Sequence, residues 1–297
     1  MCVAAQGLII DDTTTANRAQ GMSALVLAIM IAAVCGPSIG GLLADRIGVP
    51  LTFIVAAGIA FAAYVMIWIG LQRREDGRDG RSLAPDLRVL ATFVRRIPLL
   101  ILVLGCAIPA KLALIGVGYY AVPLYLSQQG IDAAAIGRVL MLYAIPQLLF
   151  TTFAARISDM RGNHGWFVVA GGTIAGAGLG VIWAFPGLYG SAAGMILLGI
   201  GQSLSLTPQS AMVGVYGRLY APGVASGDLY GAFRFLERIG NAAGPIVVAL
   251  MWGALGFTTT MLVFAMVLVV GAATFALSLL VTYRGDYGEM AEGGAGR

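Results

Sequence analysis

Charge is what this chain has least of. Only 11% of its 297 residues are Asp, Glu, Lys or Arg, against about 25% in an ordinary soluble domain. There is one histidine, His164, with no co-ligand pattern nearby, and it reads as a solvated loop residue. The three cysteines, Cys2, Cys35 and Cys106, have no paired spacing, which argues against a disulfide frame and against a metal cluster. No Gly-x-x-x-x-Gly-Lys-Ser/Thr loop occurs, so ATP is not expected as the energy source. No nucleophile-base arrangement occurs either, and neither an enzyme nor a bound cofactor is expected. The formal charge of +4 is too small and too dispersed to suggest nucleic acid as a partner. Met1 leads into apolar residues without a basic flank and Asp11-Asp12 ends that run early, so no cleavable signal peptide is expected.

What the chain has instead is long apolar runs, with 59% hydrophobic residues overall. About 20 apolar residues at 1.5 Å rise each cross the hydrocarbon core as one helix. On that measure residues 2–10 are too few, and eight spans follow: 21–43, 51–71, 98–126, 134–155, two within the charge-free run 165–217, 229–252 and 258–283. Phe185-Pro186-Gly187 divides the charge-free run. The expected fold class is therefore all-α, a polytopic membrane helix bundle. The polar segment 72–97 carries Arg73, Arg74, Arg78, Arg81, Arg88, Arg95 and Arg96 and reads as a linker, with an amphipathic helix near Asp86–Val94. The polar, glycine-rich tail from Arg284 is expected to be disordered.

Arginines set the orientation. With the N-terminus in the cytoplasm, that side collects Arg18, the seven linker arginines, Arg156, Arg161, Arg218, Arg284 and Arg297, leaving Arg46 and Arg138 for the other. Both termini are thus expected in the cytoplasm, with the protein in the inner (plasma) membrane. Trp68, Trp166, Trp183 and Trp252 each fall near a span end, where amphipathic rings prefer to sit. Within the first span, Gly36 and Gly40 are four apart and are expected on one face, admitting a neighbouring helix. A faint internal echo places Gly36-Pro37 and Gly244-Pro245 each about 15 residues beyond a glycine that opens its span, a pattern common in transporters built from repeats.

Gly36-Pro37-Ser38-Ile39-Gly40-Gly41 resembles the Gly-Pro-x-x-Gly-Gly core of the fifth-helix signature of the major facilitator superfamily, associated with proton-coupled antiporters and drug exporters. Ala155-Arg156-Ile157-Ser158-Asp159-Met160-Arg161-Gly162 resembles that family's cytoplasmic loop signature at Asp159 and Gly162. The arginine-rich linker resembles the link between the family's two six-helix halves. The resemblance implies helices five to twelve of a twelve-helix fold. It divides the chain into a partial N-terminal bundle (1–71), a cytoplasmic linker (72–97), a six-helix C-terminal bundle (98–283) and a tail (284–297). It also implies that Asp159 approaches the start of the first span, around Gln20–Met22, as a gate latch. The implied function is proton-coupled efflux of a small amphipathic molecule by alternating access. The alternative is a truncated, transport-incompetent fragment, or a half that needs a partner chain.

A few polar side chains inside spans are candidates for the chemistry. A charge at mid-membrane costs roughly 2.5–3.5 kcal/mol on insertion scales, so Lys111 is expected to face a cavity or a partner. It lines a path for an anion or proton, or it is tied to backbone carbonyls near Pro109. Arg234 and Glu237 are three apart on one helical face and can pair. Glu237 is either the proton-coupling carboxylate or half of a structural ion pair. Gln147, Gln202, Ser203, Ser205, Thr207 and Gln209 line a water-filled path or cross-link helices. Tyr119, Tyr120 and Tyr125 stack on a substrate or anchor the interface. The glycines Gly172, Gly176 and Gly180 read as packing residues.

Overall fold

The computed structural model describes residues 18–71 and 87–293. Among these, nine helices account for nearly every residue: α1 Arg18–Ile47, α2 Val49–Leu71, α3 Leu87–Arg95, α4 Ile97–Gln128, α5 Ala133–Arg161, α6 His164–Ala184, α7 Leu188–Tyr220, α8 Ser226–Leu255 and α9 Phe257–Gly293. In lipid the backbone must satisfy its own polar groups, which is why apolar runs of this length become helices. Six of them, α2, α4, α5, α6, α8 and α9, are long and apolar enough to cross a membrane. α1 and α7 have the length, 30 and 33 residues, but α7 carries five polar residues between Gln202 and Gln209 that dilute its hydropathy.

Glycine sets the turns. Gly162 takes φ 64° at the end of α5, a left-handed conformation that costs a side chain but not glycine. The signature glycine of the 155–162 segment is thus a helix terminator. Phe185-Pro186-Gly187 separates α6 from α7 as expected, with Gly187 at φ 128°. The turns at Gly48, 129–132, 185–187 and Gly256 share one end of the bundle, where Tyr125 stacks on Phe257 at 3.7 Å and Trp252 meets both rings edge-on.

α4 to α9 form a bundle with two apolar centres. Tyr143, Leu179, Ile182, Met195, Leu198 and Met261 fill one; Leu99, Leu102, Val213, Phe233 and Phe275 fill the other. α3 is the amphipathic helix expected near 86–94: Val89 and Phe93, four apart, are buried in the second centre while Val94 and Arg95 are exposed. α1 packs against α5. α2 touches α1 and buries none of its apolar window.

The helices close on one another through glycine. A Cβ on Gly116 of α4 would stand 2.5 Å from the Gly244 carbonyl oxygen of α8; the same holds for Gly171 of α6 and Gly201 of α7. In lipid, where apolar side chains gain nothing by leaving solvent, such close approach supplies the dispersion contacts that hold helices together. Gly172 and Gly176 also pack, against Ala272 and Val269 of α9, whereas nothing lies within 4 Å of a Cβ on Gly180.

Three local expectations are corrected. α9 continues as helix to Gly293, because no proline interrupts it and it can propagate from a well-packed start. His164 opens α6 half-buried, and its Nδ1 is hydrogen-bonded to the buried Ser158 hydroxyl at 2.7 Å, so it ties α5 to α6. On α1 a Cβ at Gly36 or Gly40 meets nothing within 4 Å, and the tight contact falls at Gly41, against the Ala133 carbonyl. Each residue turns the helix by about 100°, so the facing pair is Pro37 and Gly41, one position along from the expected one.

Candidate functional site

The seam between α4 and α8 builds the site. Gly240 and Gly244, four apart, line one face of α8; Gly240 lies against the Ile108 carbonyl and the Lys111 Cβ, and Gly244 against Gly116. Glu237 precedes Gly240 by three residues and therefore shares that face. The close backbone approach brings Glu237 to Lys111, with Nζ 3.7 Å from Oε1. The other carboxylate oxygen, Oε2, accepts a 2.7 Å hydrogen bond from Arg234 Nη1. Arg234 Nη2 in turn donates to the Ser210 hydroxyl of α7 at 3.2 Å, and its guanidinium lies 5.9 Å from the Phe233 ring centroid.

Burial grades across this group. The Glu237 side chain is 5% exposed, Lys111 14% and Arg234 54%. An uncompensated carboxylate so placed would be costly, and two cations offset it. Its hydrogen bonding is incomplete: Glu237 Oε1 and, one turn on, Asn241 Oδ1 are buried without a hydrogen-bond partner among the described residues. Gln202 reaches from α7 and donates through Nε2 to the Ala110 carbonyl at 2.9 Å, locking the backbone beside Lys111.

α4 is unusual at this point. Ile101–Ala107 and Ala113–Ala121 take the wider π winding, with Ile108 N–H donating to Val103 O and Val122 N–H to Val117 O. Each stretch ends just before a proline, Pro109 or Pro123, which has no N–H to give and whose ring crowds the carbonyl four residues back. Widening accommodates that crowding. Along α4, Lys111 meets Glu237 of α8 whereas Tyr119 meets Tyr143 of α5.

The expected pathway residues accordingly separate. Lys111, Gln202, Arg234 and Glu237 converge. Tyr119 makes an edge contact with Tyr143 at 6.1 Å, and Gln147 lies one turn beyond Tyr143 on α5. Tyr120 packs into the apolar centre. Ser203 and Ser205 bond back to carbonyls of their own helix. Pro245 sits half-buried within α8. Asp159 lies on α5, but its side chain, like those around Gln20–Met22, falls outside the described residues. Sequence reasoning missed Ser210 and Asn241; the Gly240-x-x-x-Gly244 spacing was the signal that marks this seam.

Two carboxylate oxygens with different surroundings make Glu237 the shared anion of a junction between three helices, paired with Lys111 of α4 and with Arg234 of its own helix, which reaches on to Ser210 of α7. Loss of its charge would weaken the attraction to both cations. The sequence model of the Major Facilitator Superfamily matches residues 1–245. No curated protein matches the chain.

Proposed function

The chain belongs to the Major Facilitator Superfamily, and from that premise we propose that it is a proton-coupled exporter working by alternating access. It is a multi-pass membrane protein that transports small molecules. The finer reading rests on the Lys111–Glu237–Arg234 cluster. Proton binding at Glu237 Oε1 frees Lys111, and the change in charge distribution between α4 and α8 biases the rocking of the two halves around a midplane site. The transported molecule is a small amphipathic compound, exchanged for protons.

In this reading the eight long helices, α1, α2 and α4 to α9, all cross the bilayer and correspond to family helices five to twelve. Residues 1–71 then form part of the N-terminal bundle, 72–97 the cytoplasmic linker and 98–283 the six-helix C-terminal bundle. Both termini lie in the cytoplasm of a cell whose inner membrane holds the protein, an orientation supported by the arginine distribution. Gly36, Pro37, Gly40 and Gly41 form a bending and packing point, and Gly244-Pro245 its counterpart in α8. Asp159 serves the cytoplasmic gate, with Gly162 ending its helix.

The reading is tested in sealed vesicles holding the full chain, with a panel of amphipathic dyes and an imposed pH gradient. Dye movement opposite to the proton gradient, abolished by a protonophore, is the expected result. Movement indifferent to the gradient would remove the coupling.

A further inference from the structure

At the end of the bundle that carries the 129–132 turn, Asp45 of α1 reaches across to the start of α5. Asp45 Oδ1 accepts from the Ala133 backbone N–H at 2.9 Å and Oδ2 from the Ala134 N–H at 2.8 Å. Asp132, on α5's own flank, accepts from the Ala135 N–H at 3.3 Å. The first N–H groups of a helix have no intrahelical acceptor and lie at the positive end of its dipole. Two of them are therefore held by a carboxylate delivered from another helix, in charge-assisted hydrogen bonds of the stronger class.

Directly beneath, the helices touch backbone to backbone. Gly41 lies against the Ala133 carbonyl, and a Cβ on Gly137 would stand 2.5 Å from the Pro37 carbonyl oxygen. Ser38 adds hydrogen bonds to Met141 Sδ at 2.9 Å and to the Gly137 carbonyl at 3.5 Å. Further from this end the described side chains of α1, Ala28, Ile31, Ala32 and Cys35, are exposed. Among the described residues, these α1–α5 contacts run from Pro37 to Asp45.

We propose that Asp45 is the latch that keeps this end of the path closed, and that its release from α5 is the opening step. What opening achieves rests on the alternating-access reading. The latch itself is tested without any transported solute, so either can fail alone.

The test uses the full chain in sealed membranes, with Cys2 and Cys35 replaced by serine and Met141→Cys introduced about 12 Å along α5 from Ala133. A membrane-impermeant maleimide is added on the side of the 129–132 turn. The buried native Cys106 reports on folding. Asp45→Ala is expected to raise the labelling rate at position 141 by about tenfold or more, with Asp45→Asn, which keeps one neutral acceptor, in between. Labelling of Cys106 stays unchanged. An unaltered rate at position 141, or an equal rise at Cys106, overturns the latch; if Asp45→Ala fails to reach the membrane, Asp45→Asn is read by the same criterion.

Discussion

Lys111 on α4 and Glu237 on α8 place opposite charges 3.7 Å apart in the body of the bundle, with 14% and 5% of their side chains exposed. A charge within the hydrocarbon is costly alone, and each of these makes the other tolerable. Arg234, more exposed, completes the neutralisation from one turn before Glu237.

Thermal unfolding in lipid should reveal that dependence. Glu237→Gln leaves Lys111 buried without its counter-charge, and breaking a buried pair from one side typically costs about 3–5 kcal/mol. Adding Lys111→Met should return at least about 1 kcal/mol of the loss, since neighbouring groups couple non-additively. Strict additivity of the two substitutions would show that they do not form a pair.

The glycine seams should separate sharply from the open glycines. Gly116→Ala pushes a methyl group into the Gly244 carbonyl, and overpacking of this kind costs about 1–3 kcal/mol. Gly180→Ala meets nothing within 4 Å and should be neutral, or more stable by up to about 1 kcal/mol through helix propensity. Melting temperatures of the two variants check the contrast.

The same logic fixes the register of α1. Gly41→Ala should loosen the α1–α5 contact, read as faster proteolysis within α1, whereas Gly40→Ala, facing open space, should not. An identical effect of both would place the packing face elsewhere.

Much of the fold was legible because apolar runs and their breakers are local signals. The bounds of α2, α4, α6 and α8, the divider at 185–187 and the amphipathic α3 all follow from run length and turn residues. Registers were not legible. Forty-two glycines offer more candidate small-residue faces than there are seams, so Gly41 could not be told from Gly40. The π windings of α4 add to this, because faces drawn at 3.6 residues per turn drift wherever the winding is wider. Arg234 and Glu237 were legible as a pair because both sit on one helix. Their meeting with Lys111, 126 positions earlier in the chain than Glu237, needed the fold, as did Asp45, which in sequence is only part of a tight turn.

Orientation can be read from outside the cell. A cysteine substituted for Gly130 should react with an impermeant maleimide in intact cells, and one substituted for Arg78 only after permeabilisation. Reaction of the Arg78 position in intact cells would invert the topology.

The central claim is that Glu237 carries the coupled proton. Exchange of a transported dye across vesicles at equal pH needs no net proton movement, whereas uphill movement under a pH gradient does. Glu237→Gln, assayed below its melting temperature, is predicted to keep exchange and lose the response to the gradient. A variant that exchanges and still accumulates dye in proportion to the imposed gradient would contradict the account.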